Sequence, residues 1–154
     1  MEINIELFLE KLKELKSICL DSAVLIYHLE KIKPYDNLTR LLLDKIASGY
    51  IFCSISTLTV TELLTKLYRS KDFHQISVFE EFINSLPNSK IHPVTYDIAK
   101  FAASLRADYN IRTPDSILIS TAYIMKSDYF ITNDISLKKV NLEGLDMIIL
   151  DDYL

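Results

Sequence analysis

Four acidic residues carry the chemical interest of this chain: Asp21, Glu62, Asp115 and Asp134. Asp21 closes the apolar run Ile18-Cys19-Leu20, and Asp134 follows Tyr129-Phe130-Ile131-Thr132. Glu62 comes early in the segment after Ile55, and Asp115 stands third in Thr113-Pro114-Asp115. Taken singly, each has a structural explanation: a helix cap, a partner for a helix dipole, or a turn residue. Taken together they are harder to dismiss. Two carboxylates about 4 Å apart repel by ~4 kcal/mol at the effective dielectric near a protein surface. Four in one place are tolerable only if protons or a cation neutralise them. The donors are all oxygens, with no thiolate or imidazole among them, so the fitting cation is Mg²⁺ or Mn²⁺.

Whether the four meet depends on the elements that carry them. Residues 3–15 place Ile5, Phe8, Leu9, Leu12 and Leu15 at spacings of three and four, which predicts an amphipathic helix ahead of the first strand. Ile18 to Leu20 reads as a buried strand, and Asp21 can cap the helical face of Val24, Leu25 and Tyr27 to Leu29. A helix follows Pro34, with Leu38, Leu41, Leu42 and Ile46 on one side and Gly49 as its stop. Tyr50 to Ile55 is expected to be a strand, followed by helices over Thr57–Tyr68 and Phe73–Leu86 that Pro87 ends. Ile91 to Val94 reads as a short strand near a sheet edge, because Pro93 interrupts it. Thr95 caps a helix buried through Ile98, Phe101, Ala102 and Leu105. Thr113 caps the next, with Pro114 at its first position, running to about Met125. Tyr129–Thr132 and Met147–Leu150 are the last strands, with a short turn or helix starting at Asn133-Asp134.

Strands alternating with helices predict a parallel sheet covered on both faces, joined by right-handed crossovers. In such a sheet every strand ends, and every following helix begins, at one rim. That topology alone sends all four acids to the carboxyl edge, where open α/β sheets keep their sites.

Composition narrows the class. The chain has 154 residues, which suits one domain with a full-sized core. No apolar stretch approaches the ~20 residues that span a bilayer. The start, Met1-Glu2-Ile3-Asn4, lacks the positive charge of a signal peptide, so a cytoplasmic protein is expected. Two glycines leave no Gly-rich phosphate loop. Cys19 and Cys53 read as buried free thiols in neighbouring strands, and His28, His74 and His92 are scattered singly, so neither type makes a zinc pattern. The net charge of −4 argues against basic patches for nucleic acid. It does not exclude a nuclease whose negative charge is gathered in a metal-filled site.

Four segments resemble the PIN-domain ribonucleases, and within them the VapC-type toxins of toxin–antitoxin pairs. Leu20-Asp21-Ser22-Ala23-Val24-Leu25-Ile26-Tyr27 looks like the family's opening strand and acid. Ser56-Thr57-Leu58-Thr59-Val60-Thr61-Glu62 resembles its second acidic motif. Thr113-Pro114-Asp115 with the following Ser116 to Ala122 resembles the third, and Phe130-Ile131-Thr132-Asn133-Asp134 the fourth. Order and separation match from about residue 17 onward. Two features depart from the pattern: some sixteen residues precede the first strand, and Ala23 stands at a position often polar in the family.

The resemblance implies a PIN-like three-layer α/β/α sandwich with a central parallel sheet, over residues 1–154, with residues 1–16 as an N-terminal helical extension. It implies Mg²⁺- or Mn²⁺-dependent cleavage of single-stranded RNA, a neighbouring antitoxin protein and a homodimer. Asp21, Asp115 and Asp134 would ligate the metal, and Glu62 would do so directly or through water. The hydroxyls of Thr132 and Ser22 would orient those carboxylates, though Ser22 also suits a plain first-turn position. Lys66 and Arg69, on the helix that carries Glu62, and Arg112, just before Thr113, are candidates for RNA phosphate. Asp97, Asp151 and Asp152 are left out: the first suits a helix dipole and the other two are expected to be solvated. An aspartate-nucleophile phosphotransferase would want Asp-x-Asp where this chain has Asp21-Ser22-Ala23. A receiver domain would want an acidic pair near its first strand. A non-toxin PIN nuclease of RNA processing and a non-catalytic PIN-fold binding module stay open beside the toxin reading.

Overall fold

The computed structural model describes residues 3–154; Met1 and Glu2, which the sequence assigns to the N-terminal extension, lie outside the described residues. The chain runs α1 (Ile5–Leu12), β1 (Ser17–Leu20), α2 (Ser22–Leu29), α3 (Tyr35–Ala47), β2 (Phe52–Ser56), α4 (Thr57–Arg69) and α5 (Phe73–Ser85). It continues with β3 (Ser89–His92), α6 (Tyr96–Tyr109), α7 (Thr113–Ile124), β4 (Tyr129–Thr132) and β5 (Asp146–Ile149). Short 3-10 helices occupy Ile135–Lys139 and Leu150–Tyr153.

The five strands form one sheet in the order β3-β2-β1-β4-β5, and every pairing is parallel. Side chains alternate across it. Ile18 and Leu20 of β1 point into a core with α1 to α5, and Cys19 between them points into a second core with α6 and α7. Ile131 and Phe130 of β4 divide the same way. Both faces are covered, which is why these strands are uninterrupted apolar runs instead of alternating ones. The result is a three-layer α/β/α sandwich.

The chain moves outward from β1 to β2 to β3, then returns to place β4 on the other side of β1. The strand order therefore reverses between β1 and β4. Open α/β sheets bind ligands in the crevice at the carboxyl ends of the strands where such a reversal occurs, and here Asp21 and Asp134 stand at that point.

Several boundaries differ from those expected, each for a local reason. Strand β3 ends at His92, one residue before Pro93, which has no N–H to give the ladder; it is an edge strand, as the proline suggested. Strand β2 starts at Phe52, because Gly49, at φ 85°, ends α3 and the Tyr50 amide bonds back to the Lys45 carbonyl at 3.1 Å. Leu150 leaves β5 for a 3-10 helix. Arg112, not Thr113, holds the cap position of α7. Helix α1 stops at Leu12, yet Leu15 is still buried; Asn4 caps its start, and Phe8 meets the Tyr153 ring edge-on at 5.0 Å. The N-terminal helix thus packs on the chain's own core. Cys19 and Cys53 are free and buried, and burial pushes the Cys19 thiol up to about 12, so it stays protonated and unreactive.

Candidate active site

Asp21 occupies the cap position of α2, but its side chain makes no capping bond to that helix. Its amide continues the sheet by donating to Ile131 O at 2.9 Å, which pins the residue between β1 and β4. The carboxylate instead accepts from the buried Thr132 hydroxyl at 2.7 Å. Thr132 Oγ1 accepts in turn from the Asp134 amide at 3.1 Å, so one hydroxyl ties both strand-end acids together. Asp134 caps the following 3-10 helix, accepting from Ser136 N at 3.0 Å and Ser136 Oγ at 2.7 Å.

The other two acids come from helices. Glu62 is exposed on α4 and accepts from Ser22 Oγ at 2.8 Å; that oxygen also lies 3.0 Å from the Thr59 hydroxyl. Asp115 is 6% exposed in the first turn of α7. Its carboxylate is held by Arg112, whose Nε donates at 3.0 Å and Nη2 at 3.5 Å.

These groups share one electrostatic field. Burial is the largest influence raising the Asp21 carboxyl above the ordinary aspartate range; the Thr132 hydrogen bond opposes it, and the charges of Asp115 and Glu62 add to it. The Asp115 hydrogen bond is the main reason that Arg112 holds its proton more firmly than usual, and Asp134 and Asp21 reinforce it. Asp21, Glu62 and Asp115 are therefore electrostatic neighbours, and Asp134 joins them through Thr132 and Arg112. Among the described residues, no three Asp, Glu, His or Cys side chains are already drawn up in metal-ligating geometry. The donor set nonetheless fits a hard divalent cation. Asp21 lacks a charged partner and is strained toward protonation, while Asp115 uses a guanidinium as its counter-charge.

Of the basic candidates, Arg112 alone touches a site acid. Lys66 pairs with Glu30 at 2.9 Å, and Arg69 lies in the last turn of α4, remote from its N-terminal half. Asp97 sits in the first turn of α6 behind the Thr95 cap. The final acids are not simply solvated. Asp151 accepts from Tyr35 Oη at 2.6 Å and from Asn133 Nδ2 at 3.3 Å, and Asp152 pairs with Lys138 at 3.2 Å.

Three partners escaped the sequence reading. Thr59 stands three residues before Glu62, on the same helical face, and Ser136 stands two after Asp134, the spacing of an Asx turn. The third is the bracket around Asn133, whose Oδ1 accepts from the Asp151 amide at 2.8 Å. It has no sequence signal, because Asp151 reaches it through the neighbouring strand.

A family model described as PIN domain matches residues 18–142. The chain belongs to the PIN-domain family. PIN domains are a family of nucleases. Among solved structures, this PIN domain is similar to a chain of DNA-bound VapBC from Salmonella typhimurium, with TM-score 0.68 and 18% identity over 88% of this chain and 99% of the other. It is also similar to a chain of VapBC2 from Rickettsia felis bound to a promoter DNA fragment, with TM-score 0.65 and 19% identity over 86% and 98%. A toxin–antitoxin complex from Klebsiella pneumoniae gives TM-score 0.64 and 21% identity over 83% and 94%. At such identities the likeness is one of fold. A sequence search of curated proteins finds no match.

Proposed function

We propose that this PIN domain is a Mg²⁺- or Mn²⁺-dependent endoribonuclease that cleaves single-stranded RNA, and that it is the toxin of a toxin–antitoxin pair. One observation carries the nuclease reading. Asp21 stands where a capping acid belongs, does not cap, and shares its half-buried place with Glu62 and Asp115. Its carboxylate has only neutral donors, the Thr132 hydroxyl and the Ser22 amide, in a field of like charge, which a divalent cation relieves.

In this reading Asp21, Asp115 and Asp134 would hold the metal, and Glu62 would join directly or through water. A divalent ion bound there would supply a water of lowered pKa and positive charge for the phosphodiester. The protein's own groups do the rest. Thr132 keeps the Asp21 carboxylate aimed into the crevice, and Ser22 holds Glu62 at the rim, where it positions the attacking water. Arg112 meets the RNA phosphates beside the acids, and Lys66 and Arg69, in the last turn of α4, are the more distant candidates for the same role. The catalytic unit is one domain over residues 1–154, with residues 1–16 as a helical extension.

A groove beside Glu62 supports the antitoxin reading. It encloses about 340 Å³ between α2, α4 and α5, with Ile26, Leu29, Leu63 and Phe79 along it; its polar side holds Glu62 and the exposed Glu30–Lys66 pair. Such a groove suits a segment with apolar anchors and an Arg or Lys that reaches the carboxylates. The complexes that contain the similar chains agree with such a partner. The toxin works as a homodimer in the cytoplasm; among the described residues no helix is long and apolar enough to cross a membrane.

The test is cleavage of single-stranded RNA with and without Mg²⁺ or Mn²⁺, run beside Asp21→Asn. Metal-dependent cleavage that the variant loses supports the nuclease. Growth arrest on expression, relieved by the product of an adjacent reading frame, supports the toxin. A wild-type chain that neither cleaves RNA nor responds to the ions sinks the enzyme reading.

A further inference from the structure

Each acid of the site has its own kind of partner. Asp21, Glu62 and Asp134 receive hydroxyl or amide donors from Thr132, Ser22 and Ser136, all neutral. Asp115 receives a full positive charge. Arg112 grips it with two nitrogens, at 3.0 and 3.5 Å, across a single helical turn. The two ends of this pair differ sharply in exposure: the Asp115 side chain is 8% exposed and that of Arg112 is 77%. The loop beneath is anchored independently, because Arg106 Nε donates to Ile111 O at 3.1 Å. The Arg112 side chain can therefore leave without the loop moving. It makes no capping bond to α7 that would hold it.

We propose that Arg112 is a displaceable counter-ion of Asp115, holding the carboxylate while the site has no metal and yielding it when a divalent cation binds. The inference rests on the metal-dependent nuclease reading. Arg112 engages both Asp115 oxygens, so a divalent cation arriving there competes with the guanidinium for them, and the two positive charges repel. Metal binding thus weakens the Arg112 pair and favours its release. Arg112 is already mostly in water, so its release costs little desolvation. The freed cation then stands at the rim, beside the crevice, where a phosphodiester arrives. Metal thus precedes RNA, and the price of the exchange is a weakened affinity for metal. For a pair with one exposed partner the weakening is about two- to fivefold.

Calorimetric titration of Mn²⁺ into the full chain, with melting curves in chelator, tests this on wild type, Arg112→Gln and Arg112→Lys. Arg112→Gln should bind Mn²⁺ about two- to fivefold more tightly while its metal-free form melts lower, because Asp115 has lost its partner. Arg112→Lys keeps the charge but not the fork and should fall between; it also carries the test if the glutamine variant folds poorly. Wild-type Mn²⁺ binding that Arg112→Gln leaves unchanged or weakens overturns the displaceable counter-ion alone. No Mn²⁺ uptake by any of the three overturns the metal site, and this inference with it.

Discussion

The ends of β1 and β4 lie side by side and carry an aspartate each, Asp21 and Asp134, yet the two behave differently. Asp134 does what its local sequence suggests: its carboxylate closes the first turn of a 3-10 helix through Ser136. Asp21 sits at the start of a helix and leaves that helix uncapped. Its carboxylate turns to a hydroxyl on the neighbouring strand. A capping acid satisfies backbone amides and gains stability from them. An acid that forgoes the cap, in a half-buried place with two other carboxylates, gives up that stability. The difference separates an acid that the fold uses from one that the fold merely tolerates.

The sharpest way to test this contrast is activity. Asp21→Asn should lower RNA cleavage by about 100-fold or more, a loss of ~2.7 kcal/mol of transition-state stabilisation, without lowering metal-free stability. A variant that is inactive because it is unfolded in chelator would break the contrast.

Thr132→Val comes next, because this hydroxyl serves both acids. Removing a buried donor to a charged acceptor should cost about 2 kcal/mol in denaturant titration. A cost near zero would mean that Asp21 does not depend on its neighbour's strand.

Asp134→Ala should cost about 1 kcal/mol by removing the cap, whereas Asp134→Asn, which keeps an accepting oxygen, should cost clearly less. Equal losses would show that charge, not capping, is what Asp134 contributes.

The smallest effect is in pH. Burial, with Asp115 and Glu62, raises the Asp21 carboxyl above its value in the unfolded chain. Between the two values the folded protein holds a proton that the unfolded chain has released, so stability falls as pH rises. The penalty is absent below the unfolded value and complete above the folded one. In chelator, the stability advantage of Asp21→Asn over wild type should therefore grow across that window and then level off. A gap that is flat with pH would remove the electrostatic basis of the contrast.

Much of the fold was legible because it is written in short-range pattern. The apolar run Ile18 to Leu20 announces a strand covered on both faces, and its side chains do divide between two cores. Pro93 marked β3 as an edge strand, and Gly49 marked the end of α3. Boundaries slipped where one interaction outweighed propensity. Tyr50 has a strand former's side chain, but its amide is used to close α3, so β2 begins later. Thr113 has the better capping side chain, yet Arg112 takes the cap position, and the Thr113 carbonyl accepts from Ser116 instead.

The sequence by itself determined which segments become strands and helices, and that four acids follow or open them, because apolar period and backbone chemistry act over a few residues. It also determined that those acids would gather at one rim, since parallel strands must all end on the same side. Tertiary structure decided what each acid meets there. Thr132 and Asp21 are 111 residues apart in the chain and become partners only because the sheet order sets β4 beside β1. The same order joins Asp151 to Asn133 and brings Glu62 and Asp115 to bear on Asp21. Such pairings depend on strand order, which is set by how whole faces pack, and no local pattern encodes it.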